Sequence, residues 1–367
     1  MKNYLKGIAA CIIAFILTIA LATPASAAKA GGGGVSHTAK QTLPIQLGTS
    51  GGWTFDLANG YCCGGTLGAL VTDGTTQYIL SNFHVFAGDV VDGGNNRRAQ
   101  AGNPVIQPGL IDVGCTASKA QTVAGLSSWA DPMDGDNIDA AIAEVVPGMV
   151  RTDGTILEIG TISSATLAPK LNLPVKKSGR TTRLTRSKIT AVNATISVSY
   201  DTECAGTLRG QATFSGQIVV GNRGSKFLAG GDSGSLMVED VTPNPRAVGL
   251  LYAGSSSVAI ANPIGEVLQY FSTTLGNTIT LVGATGTQAT EVPVAVFEDA
   301  KKAQARNAAH LERVPRGVGH GIGLGRGGRV VIKVYVEEDT PEARMAVPDS
   351  VDGIPVEIEE TGRIVAF

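Results

Sequence analysis

Gly231-Asp232-Ser233-Gly234 stands between two apolar runs, Phe227-Leu228-Ala229-Gly230 before it and Val248-Gly249-Leu250-Leu251-Tyr252-Ala253-Gly254 behind it. Glycine on either side of Asp232-Ser233 permits a sharp turn. Such a turn presents the serine hydroxyl and lets the amides of Gly231 and Ser233 converge on one point. A serine hydroxyl is a poor nucleophile until an imidazole takes its proton, and an acid must hold that imidazole in the correct tautomer. The chain has only four histidines. His37 lies in a Gly-rich leader, and His310 and His320 follow the serine. His84 lies well upstream, in Ile79-Leu80-Ser81-Asn82-Phe83-His84-Val85, which reads as an apolar strand. Between His84 and Ser233, Asn137-Ile138-Asp139-Ala140-Ala141-Ile142 sets a lone acid in an apolar run, where a buried carboxylate needs a partner. Asp131, Asp134 and Asp136 belong instead to Asp-Pro-Met-Asp-Gly-Asp, a turn-forming string that suits solvated carboxylates.

From about residue 43 to 275 the apolar runs are short and punctuated by Gly, Asn, Asp and Pro, with little helical periodicity. That pattern predicts a mainly β fold of antiparallel barrels or sandwiches. Charge density then rises. From residue 292 onward, 22 of 76 residues are charged, against 38 of the other 291. This step marks a C-terminal accessory segment at 293–367, reached through a polar linker at 283–292. Its sequence predicts a helix over Phe297–Arg313, strands at Gly317–Leu324 and Arg329–Val336, and a helix start at Thr340-Pro341-Glu342. A last strand at Ile354–Ile358 completes a small α/β module, expected to fold separately and to be dispensable for chemistry. It either covers the cleft or binds substrate or envelope. Its Gly-x-Gly-x-Gly string lacks the Gly-Lys-Ser/Thr ending of a phosphate loop.

The order His84, Asp139, Ser233 resembles the trypsin-like (chymotrypsin-fold) serine peptidases. So do the local strings, including Gly64-Gly65-Thr66-Leu67 as the first-barrel hairpin and Val175–Thr182 as the start of the second barrel. The likeness spans about 43–275. It implies two antiparallel β-barrels, about 43–168 and 169–275 within a domain of 43–282, with the site between them. It further implies a His84-Asp139-Ser233 triad, an oxyanion hole from the Gly231 and Ser233 amides, and hydrolysis of protein or peptide substrates through an acyl-enzyme. Tyr252, Ala253 and Gly254 would pair with substrate main chain. A gapless count places Phe227 at the base of the specificity pocket, where trypsins carry an acid, so apolar rather than Lys or Arg specificity is implied. Ser178-Gly179-Arg180-Thr181-Thr182 is similar, more loosely, to plant narrow-leaf proteins. Ile264–Phe271 resembles the short helix that closes such domains. In many members the acid before the serine pairs with a freed N-terminus, yet no activation site stands out before Asp232.

Residues 1–27 read as an export signal, with Lys2 and Lys6, an apolar run over 7–22 and Ala25-Ser26-Ala27. A flexible leader follows at 28–42. The run is short for a membrane span, so the mature chain is expected outside the cytoplasm with no stable membrane insertion. Losing the two lysines takes the formal charge from −2 to −4, which argues against nucleic acid as a general partner. The basic run Lys170–Lys188 reads as solvated strand edges and turns. No Cys/His spacing of the zinc type occurs, and neither metal nor cofactor is expected. Cys11 goes with the signal. Cys62, Cys63, Cys115 and Cys204 permit two bridges, with pairings to Cys115 and Cys204 favoured over a strained vicinal bond. Val85 stands where classical trypsins have a cysteine. Two other functions compete: an esterase of the α/β-hydrolase type using Ser233 with His310 or His320, and a silent peptide-binding scaffold. Ser235 stands where the esterase elbow needs glycine.

Overall fold

The computed structural model describes residues 35–58, 61–88, 97, 99–200, 210–286 and 295–366. The expected signal, the first part of the leader (28–34), the last part of the linker (287–292) and Cys204 lie outside these residues.

The first sheet is antiparallel. It contains β1 (Thr49–Trp53), β2 (Gly65–Leu67), β3 (Ala69–Thr72) and β4 (Gln77–Ser81), then α1 (Phe83–Phe86) and β5 (Pro104–Gln107), β6 (Gln121–Ala130) and β7 (Ala140–Val145). Its order is β3-β4-β7-β6-β5-β1-β2, so the two ends of this path, β2 and β3, are consecutive stretches of chain divided by Gly68. The sheet is thereby curled. Leu67, Leu70, Ile79, Leu80, Leu126 and Ile142 of its strands belong to one core cluster. Each such side chain contributes about 1.5–3 kcal/mol on burial.

The second sheet starts with β8 (Pro174–Lys177) and a long hairpin pair, β9 (Thr185–Ser199) and β10 (Gln211–Gly221). β11 (Leu236–Glu239), β12 (Ala247–Gly254) and β13 (Val258–Pro263) follow. The pairings β8-β11-β12-β13-β10-β9 return on themselves, because β9 also pairs with β8. Register shifts in β9 fall around Ala191 and Ala194, with Asn193 at positive φ. A bulge of this kind bends the strand. Its first four residues, Thr185–Lys188, pair with β8, and Ala191–Ile196 serve a later partner.

α2 (Ile264–Leu275) ends at Gly276, whose φ of 71° suits the left-handed stop that glycine favours. Val267 and Phe271 of this helix join the core of the first sheet, and β14 (Thr280–Leu281) pairs with β3. The helix is a turn longer than the sequence suggests.

The C-terminal elements are α3 (Ala295–Leu311), β15 (Gly317–Leu324), β16 (Val330–Val336), α4 (Pro341–Ala346), β17 (Ser350–Val351), β18 (Ile354–Glu360) and β19 (Val365–Ala366). Thr340 caps α4, its hydroxyl accepting from the Ala343 amide at 3.2 Å. The order β9-β15-β16-β18-β17 makes this segment's sheet continuous with that of β8–β13. Its own cluster holds Leu311, Ile332, Val334 and Val336, while Val318 and Tyr335 pack into a cluster shared with Tyr200, Phe214 and Tyr252. β19 lies back across the second sheet, beside β9 and β12.

Candidate active site

The serine loop is held by its own turn and by β2. Gly231 and Gly234 have φ values of 90° and 88°, a region that only glycine enters without strain. The turn uses the amides of Asp232, Gly234 and Ser235, bonded to Ala229, Leu251 and Asp232 carbonyls at 2.9, 2.9 and 3.0 Å. Across the sheets, the Thr66 amide donates to the Ser233 carbonyl at 2.8 Å and the Thr66 hydroxyl to that of Gly231 at 3.0 Å. A Cβ on Gly234 would lie 2.3 Å from the Thr66 carbonyl oxygen, so glycine is required by approach as well as by φ. The Ser233 hydroxyl itself donates to the Tyr252 carbonyl at 3.1 Å.

Asp232 has no exposure, and its carboxylate is surrounded by donors. It accepts from the amides of Thr181 (2.8 Å), Thr182 (3.0 Å) and Ala229 (3.1 Å) and from the Thr182 hydroxyl (2.6 Å). Opposite stands the Lys177 ammonium, equally buried, with Nζ 3.2 Å from Oδ2. Burial pulls the Lys177 pKa below its ordinary value, and the Asp232 carboxylate opposes that pull. The cation that neutralises Asp232 is thus internal. Lys177 also donates to the Thr182 hydroxyl and, at 3.1 Å, to the Arg183 carbonyl. The expectation that the run 170–188 is solvated therefore fails at two positions. Lys176 is 3% exposed and Lys177 0%, because β8 is flanked by β9 and β11 and both side chains reach partners inside. Lys176 Nζ donates to the Val241 carbonyl at 2.7 Å.

His84 sits on α1, a single helical turn, and not on the strand that its apolar neighbours suggest. β4 ends at Ser81, and the Asn82 carbonyl accepts from the Val85 and Phe86 amides at 3.2 and 3.1 Å. This turn buries Phe83, Val85 and Phe86 and leaves His84 facing outward, partly exposed. Its Nδ1 lies 2.6 Å from Asp139 Oδ2. A carboxylate only accepts, so the Nδ1 proton points to Asp139 and Nε2 is left for the reacting side. The His84 amide also reaches Asp139 Oδ1, at 3.3 Å.

Asp139 is wholly buried just before β7, as its apolar surroundings suggest. Asn82 and Asn262 donate to its carbonyl at 2.7 and 3.1 Å, and its amide donates to Asn262 Oδ1 at 3.3 Å. A further donor is Tyr200, whose hydroxyl lies 2.8 Å from Asp139 Oδ2. Burial and the adjacent carboxylate hold the Tyr200 pKa well above the phenolic range, so this hydroxyl keeps its proton and donates. Sequence reasoning misses Tyr200, Asn82 and Asn262. The competing acids stay in their turn: Asp131 accepts from the Met133 amide, and Asp136 from the Asp131 amide and the Tyr270 hydroxyl.

The histidine turn and the serine loop meet at Gly65. A Cβ there would come within 2.6 Å of the Val85 side chain and 2.9 Å of the Ser233 carbonyl oxygen. An aromatic series closes the other side. Ring centroids are 6.1 Å apart for His84 and Tyr200, 6.4 Å for Tyr200 and Phe214, and 5.0 Å for Phe214 and Tyr252. Tyr252, Ala253 and Gly254 form the end of β12, next to the serine loop. Phe227 is 2% exposed and packs with Val175, Leu228 and Leu251.

Two of the other histidines, His37 and His320, are bonded within the fold, and His310 is exposed near the end of α3. His37 bonds the Gly48 carbonyl at 2.9 Å and Glu158 at 3.0 Å. His320, on β15, bonds Gln304 at 2.9 Å and is held below the usual imidazole pKa by burial. A strand, β11, follows Ser233 where an α/β-hydrolase elbow needs a helix. Cys62 is bridged to Cys115, one of the pairings the sequence allows, and Cys63 is also disulfide-bonded.

No family model matches the chain, and no curated protein matches it. Solved structures similar to it are bacterial chymotrypsin-fold serine proteases at low identity. One is a glutamic acid specific serine protease that utilizes a novel histidine triad in substrate binding: 18% identity and a TM-score of 0.43, over 65% of this chain and 100% of that one. Another is Thermobifida fusca protease A, with 18% identity and a TM-score of 0.40 over 65% and 99%. A third is Cellulomonas bogoriensis chymotrypsin, with 15% identity and a TM-score of 0.40 over 65% and 99%.

Proposed function

We propose that this chain is an exported serine endopeptidase of the two-barrel chymotrypsin type, working through Ser233, His84 and Asp139. The observation that carries the reading is the 2.6 Å contact between His84 Nδ1 and a fully buried Asp139. An orienting acid without solvent, tied by two asparagines and a tyrosine, has little structural purpose other than to hold that ring. In this reading His84 Nε2 takes the Ser233 proton as Oγ attacks a peptide carbonyl. The tetrahedral oxyanion is received by the Gly231 and Ser233 amides, which the positive φ of Gly231 helps to aim. His84 then protonates the leaving amine, and water reverses the sequence to release the acyl group. Asp139 orients the ring and stabilises the imidazolium. Side chains and main-chain amides perform every step.

Tyr252, Ala253 and Gly254 would take substrate main chain, and Phe227 would contribute to an apolar specificity pocket. The looser likeness to plant narrow-leaf proteins rests on Ser178–Thr182, the segment that wraps Asp232. Cleavage of a peptide library tests the reading. Ser233→Ala and His84→Ala should each lower turnover by about 10⁶ while leaving the circular dichroism unchanged. Equal turnover in the wild type and Ser233→Ala would refute it, and efficient cleavage after arginine would refute the pocket.

A further inference from the structure

The strand β19 lies along the end of β12 beside the serine loop, and the rest of the C-terminal segment holds it there. Beyond Leu250, the edge of β12 facing the serine loop is no longer used by β11, whose pairing stops at Leu236 opposite Leu250. The opposite edge stays paired with β13 as far as Gly254. β19 fills the vacated edge antiparallel, with Ala366 opposite Ala253 and Val365 opposite Gly254. The Tyr252 carbonyl, one residue earlier on that edge, is the one that accepts the Ser233 hydroxyl.

Anchors on both sides pin the segment that leads to this strand. The Thr361 amide donates to the Val336 carbonyl at 2.9 Å, and the Thr361 carbonyl accepts from the Ser257 hydroxyl at 3.0 Å. Arg363 Nε donates to the Ser199 hydroxyl at 3.0 Å, and the Ile364 carbonyl accepts from the Ser199 amide at 3.0 Å. Ile364 and Ala366 are 1% and 4% exposed and belong to the cluster of Tyr200, Phe214 and Tyr252. That aromatic series ends at Tyr200, which bonds Asp139. The occupant thus contacts both the edge and the support of the site.

We propose that Thr361–Ala366 is a cis-acting, substrate-like inhibitor of the site assigned above, and that it marks the substrate class. This class is an extended peptide with small or branched apolar side chains opposite Ala253 and Gly254. The inference rests on the serine peptidase reading. A tethered strand has an effective concentration on the order of 1 mM. A free strand binding with a dissociation constant of about 0.1 mM would then occupy the edge about nine-tenths of the time and slow the site about tenfold.

The test compares rates of Ser233 modification by a fluorophosphonate in three proteins: the full chain, a chain ending at Glu360, and full-length Ala366→Asp, which sets a charge among buried aromatics. Each altered chain should react about tenfold faster than the full chain. A synthetic peptide of residues 361–367 should slow the shortened chain again, and competitively with substrate. If the shortened chain does not fold, Ala366→Asp alone decides. Rates equal to the full chain, in whichever variants fold, would show the strand to be merely structural and overturn the proposal. A failure of the peptidase reading looks different: no protein is modified at Ser233, although the labelled peptide still binds the shortened chain.

Discussion

Replacing Lys177 by methionine leaves Asp232 buried with its charge and without its cation. The two groups are 3.2 Å apart and both wholly buried. At an effective dielectric constant of about 20, that separation corresponds to an attraction of about 5 kcal/mol. Lysine's own desolvation offsets part of this, as the downward pull on its pKa indicates. Asp232 also keeps four donors, the amides of Thr181, Thr182 and Ala229 and the Thr182 hydroxyl. Removing one partner of a buried pair costs about 3–5 kcal/mol, and the remaining donors place this case near the lower end, about 3 kcal/mol. Urea unfolding at neutral pH, followed by tryptophan fluorescence, measures the loss. Adding Asp232→Asn to Lys177→Met should recover 1 kcal/mol or more, roughly, since neither charge then stands alone. The serine loop hangs on Asp232, so Ser233 modification should also slow in the single variant. A Lys177→Met cost under about 1 kcal/mol, with Ser233 reactivity unchanged, would refute the argument that this pair secures the loop.

Tyr200→Phe should lower folding stability, read by urea unfolding, by about 1.5–3 kcal/mol, the contribution of a hydrogen bond to a charged group. Without that donor Asp139 holds the imidazolium more tightly, so the acid limb of the pH–rate profile should move to higher pH; an unmoved limb would make Tyr200 a packing residue only. Burial holds the phenols of Tyr200, Tyr252 and Tyr335 well above pH 10 in the folded chain. Their contribution to stability is complete below pH 10, where the unfolded phenols keep their protons, and is lost as pH rises beyond it. Unfolding free energies from urea titrations between about pH 9 and 11 should fall steeply above 10, by up to about 4 kcal/mol per pH unit for three such groups. A flat profile there would contradict the burial.

The sequence reveals the site where one residue type has few competitors. Four histidines, and one acid set in an apolar run, leave little choice, and Asp139 is set apart from Asp131, Asp134 and Asp136 by its apolar neighbours. The C-terminal helices and strands are legible for the same reason: α3, β15, β16 and the Thr340 cap follow ordinary periodicity and capping. His84 is misplaced onto a strand because one helical turn is too short to show a period. Lys177 is hidden in a basic run, although Val175 and Lys177 alternate onto the same buried face. Tyr200 lies 61 residues from Asp139, and no local pattern links them. The continuity of β15 with β9 is equally non-local, and β19, with two residues, has no signature of its own.

Mass spectrometric mapping of a fluorophosphonate adduct tests the central claim most directly. The shortened chain and the full chain are each incubated with the probe, digested and sequenced. The account predicts a single adduct on the peptide containing Gly231-Asp232-Ser233-Gly234, at Ser233, that is lost in His84→Ala and slowed in Asp139→Asn. An adduct at another serine, or labelling of Ser233 that persists undiminished in His84→Ala, would contradict it.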